Sequence, residues 1–195
     1  AYIGGIVTGF YLFASAPGIH KKTKWQHLTG WDYAHRGLYD NEHGIPENSM
    51  AAFRRAVDKG YGIELDVHLT ADNQLVVFHD DTLTRMCGVN KKISSFLYSD
   101  LMQLRLLGTE EGIPLFKDVL ELIDGKVPLI IELKVDGSNQ NLLCPLVWQL
   151  LSRYKGDYCI ESFHPFVLQW FKRHEPQVVR GQLSCNFFKE NPHCD

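Results

Sequence analysis

From residue 31 onward, short apolar runs alternate with amphipathic stretches. Six runs read as strands, over residues 31–36, 62–67, 75–79, 128–134, 158–163 and 178–183. Each is rich in Val, Ile, Leu or aromatic residues, and most are bounded by Gly, Asp or Asn. Between the runs the apolar spacing widens to that of a helix. Pro46-Glu47-Asn48-Ser49 opens a helix whose Met50, Phe53, Ala56 and Val57 share one face, and Gly60 ends it. A second is expected from Ser99 through Leu101, Leu104 and Leu107, with others over 114–124, 141–154 and 165–174.

Strands alternating with helices imply parallel βαβ units. About 165 residues follow Trp31, whereas a closed (β/α)8 barrel usually needs about 250. The pattern alone therefore leaves two folds open: a doubly wound open sheet, or a barrel lacking its last two units. One joint departs from the βαβ rule. Residues 67–74 are too few for a helical crossover, so this connection is expected to be extended or hairpin-like.

Composition narrows the class of protein. The chain has 195 residues, 45% of them hydrophobic, enough for a sizeable core. Its 20 Lys+Arg against 23 Asp+Glu give a net charge of −3, without the basic footprint of a nucleic-acid binder. Five cysteines are scattered with neither a CxxC nor a zinc-finger spacing, and read as reduced thiols. Residues 1–19 carry no full charge and are followed at once by His20-Lys21-Lys22-Thr23-Lys24. Three readings stand: the end of an N-terminal membrane anchor (preferred), a signal segment, or a buried first helix. The run is slightly shorter than the roughly 20 residues of a membrane span, and a signal segment would place its positive charges first. The division expected is an apolar segment over 1–20 and one catalytic domain over 21–195. With an anchor, the lysines place that domain on the cytoplasmic side of a membrane.

Polar residues collect at the C-terminal ends of the early strands. They are His35-Arg36, Glu64 and Asp66, His79-Asp80, and Glu132 with Lys134. Side chains alternate along a strand, so Glu64 and Asp66 share a face, as do Glu132 and Lys134. Sites in α/β folds form at that end of the strands. Ionised carboxylates gathered there repel unless a positive charge lies among them. Three hard oxygen donors without cysteine suit Ca²⁺ or Mg²⁺ better than zinc. Arg36 and Lys134 are donors suited to a phosphate, and two histidines supply an acid and a base near neutral pH. Together the parts describe metal-assisted cleavage of a phosphate ester. Singly, each also reads as an ordinary turn, strand end or surface ion pair; their common placement is what favours a site.

These residues carry a resemblance. Ala34-His35-Arg36-Gly37, Pro46-Glu47-Asn48-Ser49 with Ala52-Phe53, Glu64-Leu65-Asp66-Val67 with Thr70, and Val76-Val77-Phe78-His79-Asp80 come first. Leu83-Thr84-Arg85, Ile113-Pro114, Glu132-Leu133-Lys134 and Ser162-Phe163 complete the set. The ordered set resembles the glycerophosphodiester phosphodiesterase family, within the phospholipase-C-like phosphodiesterases, over about residues 31–185. The resemblance implies a (β/α)8 TIM-type barrel, with about six of eight strands present here, that hydrolyses glycerophosphodiesters to an alcohol and sn-glycerol 3-phosphate. It implies Glu64, Asp66 and Glu132 as ligands of Ca²⁺ or Mg²⁺, His35 and His79 as the acid/base pair, and Arg36 and Lys134 as phosphate contacts. Asn48 is a motif residue expected to orient the first-strand loop or the ligand. The family's final strands, with a Trp-bearing segment and a late Thr-Asp motif, have no counterpart in this sequence.

His68, on the strand face of Glu64 and Asp66, reads first as a rim residue and second as a substrate contact. His164 follows Ser162-Phe163 and reads mainly as structural. The remaining histidines (His20, His27, His43, His174 and His193) read as surface. The rival functions are a lysophospholipase D-like or phospholipase-C-like hydrolase working at a membrane, a zinc hydrolase using Asp66 and His68, and an inactive membrane-tethered binding fragment. The partner expected is a small glycerophosphodiester, with membrane association through residues 1–19. The oligomeric state is not set by the sequence.

Overall fold

The computed structural model describes residues 25–184. The apolar N-terminal segment, Cys185 and Cys194 lie outside the described residues. Six strands form one sheet: β1 (Tyr33–His35), β2 (Gly62–Leu69), β3 (Leu75–Val77), β4 (Leu129–Leu133), β5 (Tyr158–Ser162) and β6 (Val179–Gln182). Five run parallel in the order β1-β2-β4-β5-β6, and β3 pairs antiparallel with β2. Between the strands lie α1 (Met50–Lys59), α2 (Thr84–Cys87), α3 (Tyr98–Leu101), α4 (Phe116–Ile123), α5 (Gln140–Leu151) and α6 (Pro165–His174). All six expected strands are present, and the topology is that of a TIM-type barrel rather than a doubly wound sheet.

Local chemistry explains the helix boundaries. The Ser49 hydroxyl accepts from the Ala52 N–H at 3.1 Å and donates to the Pro46 carbonyl at 2.6 Å, which starts α1. Gly60, at φ 73°, ends it by donating to the carbonyls of Ala56 and Val57. Ala52, Phe53 and Ala56 form the buried face of α1, with Met50 and Val57 at its margin. Pro165 fits the first turn of α6, where its missing N–H has no partner to lose.

Helix 99–107 does not form. Only the four-residue α3 precedes a short 3-10 turn over Leu106–Gly108. Leu101 and Leu106 are buried, but Leu107 is exposed at φ 51°, so the leucines do not share one helical face. The Arg105 guanidinium also draws off the carbonyls of Met102 and Leu104, both at 2.9 Å.

The described residues form two cores. The larger joins the outward side chains of β2, β4 and β5 to α1, α4, α5 and α6. The smaller gathers Val76, Phe78, Leu83, Met86, Ile93, Leu101, Leu106 and Ile113 under the segment between β3 and α4. This segment is carried by the hairpin expected from the short 67–74 joint: Val67 pairs with Val77 and Leu69 with Leu75.

Candidate active site

The alternation of β2 separates core from site. Ile63, Leu65, Val67 and Leu69 join the main core, while Glu64, Asp66 and His68 face the other way. Register places Asp66 beside Glu132 of β4. One carboxylate oxygen from each of Glu64, Asp66 and Glu132 lies within 4.8 Å of the others, and all three residues are buried.

Crowding sets their protonation. Burial, then the charge of Asp66, pushes Glu64 up to about 9. Burial also raises Glu132, outweighing the nearby ammonium of Lys134. Asp66 moves the other way. Burial would raise it, but Lys134, His79 and the Asn48 amide together hold it below the usual carboxylate range. Lys134 Nζ stands 3.1 Å from Asp66 Oδ1 and 2.8 Å from Glu132 Oε1. Burial alone would lower the lysine, and the two carboxylates instead raise it.

The loop after β1 closes one side. Arg36, at φ 57°, donates its backbone N–H to Glu64 Oε2 at 3.0 Å. Asn48, at φ 53°, donates its backbone N–H to the Arg36 carbonyl at 2.9 Å and Nδ2 to Asp66 Oδ2 at 2.9 Å. Its Oδ1 is buried without a hydrogen-bond partner. The Arg36 side chain lies between Glu47 Oε1, at 2.9 Å, and Asp66 Oδ2, at 3.9 Å. His35 Nε2 is 3.8 Å from Glu64 Oε2, on a largely exposed side chain whose pKa burial and the Arg36 charge lower.

His79 arrives by a different route. Because β3 runs antiparallel, His79 does not end a parallel strand; the Phe78 N–H donates to the Asp66 carbonyl at 3.0 Å and folds the chain back onto the acids. His79 Nδ1 is 2.7 Å from Asp80 Oδ1. Burial would raise the Asp80 pKa, but hydrogen bonds from His79 and Arg85 hold it far below the usual range. Asp80 is therefore ionised and accepts, so Nδ1 carries the proton. His68 is buried, not at the rim: its Nε2 lies 3.2 Å from the His79 carbonyl, and burial keeps the ring neutral. With that nitrogen engaged, His68 is not in the group that could hold a metal ion, which among the described residues contains the three acids.

Sequence reasoning missed three parts. Glu161 of β5 sits in register with Glu132 and is pushed up to about 7 by burial, Glu132 and Asp66. A lone glutamate in an apolar strand, at the height of Glu132, was the available signal. Glu47 and Arg85 were visible only as motif letters; in the structure they form an ion-pair network with Arg36 and Asp80. A cleft of about 260 Å³ opens beside Glu132 and Lys134, walled by Asp81, Val135, Phe163, His164 and Pro165.

The three acids share one ammonium, and a proton held on Glu64, raised to about 9 by burial and the charge of Asp66, relieves the excess negative charge. An all-oxygen donor set with surplus charge, beside the unpartnered Asn48 Oδ1, fits a hard divalent cation. Fold and site thus define a TIM-type α/β domain with an acidic, histidine-flanked cluster at the strand ends. Residues 35–186 match the glycerophosphoryl diester phosphodiesterase family, and the chain belongs to that family. It is 33% identical over 169 residues to lysophospholipase D GDPD1 of Rattus norvegicus, covering 80% of this chain and 52% of that protein. It is 34% identical over 166 residues to a glycerophosphodiester phosphodiesterase of Caldanaerobacter subterraneus, covering 77% and 65%. A phosphodiesterase of Oleispira antarctica, solved with the product sn-glycerol-3-phosphate, superposes with a TM-score of 0.73 at 26% identity, covering 82% of this chain and 67% of that one. The chain spans about half the length of the rat relative.

Proposed function

We propose that this domain hydrolyses glycerophosphodiesters to an alcohol and sn-glycerol 3-phosphate, using a divalent cation, Ca²⁺ or Mg²⁺, held by Glu64, Asp66 and Glu132. The observation that carries the reading is the convergence of those three buried acids within 4.8 Å, with His35 and His79 beside them. The product found in the Oleispira antarctica enzyme supports the same substrate class. The cation would offset the acids' repulsion and polarise a phosphoryl oxygen.

The protein's own groups supply the rest. One histidine takes the proton of the attacking oxygen, from water or from the substrate's glycerol 2-hydroxyl, and the other protonates the departing alkoxide. The P–O bond to the alcohol breaks as the new P–O bond forms in line; attack by the 2-hydroxyl gives a cyclic glycerol phosphate, which water then opens by a second in-line displacement to sn-glycerol 3-phosphate. Arg36 and Lys134 are the donors for the charged phosphoryl oxygens, and Asn48 holds Asp66 while fixing the first-strand loop. The cleft beside Glu132 and Lys134 leaves space for the alcohol portion.

Turnover of glycerophosphocholine with added Ca²⁺ or Mg²⁺, lost in EDTA and in His35→Ala and His79→Ala, is the expected result. Full activity in both histidine variants would overturn the assignment. A second reading is favoured by the rat relative, a lysophospholipase D: the same site acting on lysophosphatidylcholine. Comparing the two substrates separates them. The membrane anchor proposed for residues 1–19 lies outside the described residues, and among the described residues no helix is long and apolar enough to cross a membrane.

A further inference from the structure

We propose that Arg85 and Glu47 are positioning residues, a clamp that fixes the His79 proton on one ring nitrogen and ties that histidine to the loop holding the metal-ligating acids. The inference rests on the hydrolytic reading above and goes beyond its catalytic set.

The clamp is built from a single guanidinium. Arg85 donates Nε to Asp80 Oδ2 and Nη2 to Asp80 Oδ1, both at 2.8 Å. On its other edge it donates Nη1 to Glu47 Oε2 at 2.9 Å and Nη2 to Glu47 Oε1 at 2.7 Å. Both carboxylates are thus gripped by two bonds each, the geometry that a planar fork supplies and an ammonium cannot. Glu47 is almost fully buried, and its Oε1 also accepts from Arg36 Nη1 at 2.9 Å.

The consequences run in two directions. Toward His79, the clamp leaves Asp80 one orientation, with Oδ1 2.7 Å from Nδ1. A proton held there leaves Nε2 as the nitrogen that exchanges a proton with substrate. His68 holds the same residue from its carbonyl side, so ring and backbone are fixed independently. Toward the acids, Glu47 reaches Arg36, whose backbone N–H binds Glu64. The hairpin that carries His79 and the loop that follows His35 are therefore joined by charge across 38 residues of sequence.

The test uses the 195-residue chain with ¹⁵N-labelled imidazoles, His79 being assigned by loss of its signals in His79→Gln. Wild type is expected to show the Nδ1–H form of His79. Arg85→Met is expected to show a mixture with the Nε2–H form, and a kcat on glycerophosphocholine reduced about 10–100-fold, as for supporting residues around metal sites, with KM within about two-fold. Arg85→Lys, which keeps the charge without the fork, should fall between. Arg85→Met combined with Asp80→Asn should be no slower than Asp80→Asn alone, because both act through one path. A wild-type tautomer, a wild-type kcat, or additive losses would each overturn the clamp. If Arg85→Met does not fold, Arg85→Lys and Glu47→Gln decide by the same readouts. If wild type turns over no glycerophosphodiester, the hydrolytic reading falls, and the tautomer alone decides whether the clamp exists.

Discussion

Two groups of charge lie side by side at the strand ends, and they follow opposite rules. In one, Glu47 and Asp80 meet Arg36 and Arg85, two acids against two guanidinium groups, and every carboxylate oxygen has a donor. In the other, that of Glu64, Asp66 and Glu132, the last two share the Lys134 ammonium, the Arg36 guanidinium stands off at 3.9 Å from Asp66, and Glu161 adds a further acid from β5. The balanced group lowers its carboxylate pKa values; the unbalanced group raises those of Glu64, Glu132 and Glu161. A charge cluster that completes itself serves the fold. One left short of positive charge is prepared for a partner from solution.

The largest test of that contrast is removal of the cation: EDTA should abolish turnover, and excess Ca²⁺ or Mg²⁺ should restore it. Next in size, His35→Ala and His79→Ala should each cost about 10²–10⁴-fold in kcat, yet both should keep the rise in Tm that added cation produces, since neither removes a proposed ligand.

Neutralising one acid in each group should then give opposite results in denaturant titrations. Glu47→Gln strands Arg85 and Arg36 and should destabilise by about 3 kcal/mol, the low end for a broken buried pair because Arg85 is half-exposed. Glu132→Gln relieves repulsion and should leave the cation-free protein at least as stable as wild type. It should also remove the cation's stabilisation, which in wild type reaches about 2.7 kcal/mol at a hundred times the dissociation constant.

The smallest effect is in the pH dependence of Tm. Glu161 has a folded pKa of about 7, above its ordinary value of 4.5. The folded state therefore binds its proton more tightly than the unfolded chain, and stability declines as pH rises from 4.5 through 7. Glu161→Gln should flatten that decline in the cation-free protein. Glu47 is depressed below 4.5, so its contribution is present above that pH and lost as pH falls further. Glu47→Gln should flatten the acid side instead. A single slope of one sign, unaltered by either variant, would remove the distinction between the groups.

Much of this was legible in the sequence because alternation is a local property. Glu64 and Asp66 had to share a face once Ile63, Leu65 and Val67 shared the other, and the short 67–74 joint excluded a crossover helix. The helix over 99–107 failed because leucine spacing alone does not report which leucines find a core; Leu107 points to solvent. The Arg85 clamp was illegible for a different reason. Its partners stand five and 38 residues before it in the chain, and only the folded hairpin brings them together. Similarly, His68 had the right strand face for the site but is consumed by the carbonyl of His79.

The hairpin has one more consequence. His35 belongs to the main sheet, whereas His79 and Arg85 ride on a segment with its own small core around Phe78, Leu83 and Met86. The proposed proton transfer would thus need two packing units to remain docked, while the acid cluster needs only one. Under gradual warming, amide exchange in that smaller unit should accelerate before the central strands loosen, and the protein would fall silent as a catalyst while still able to capture its ion.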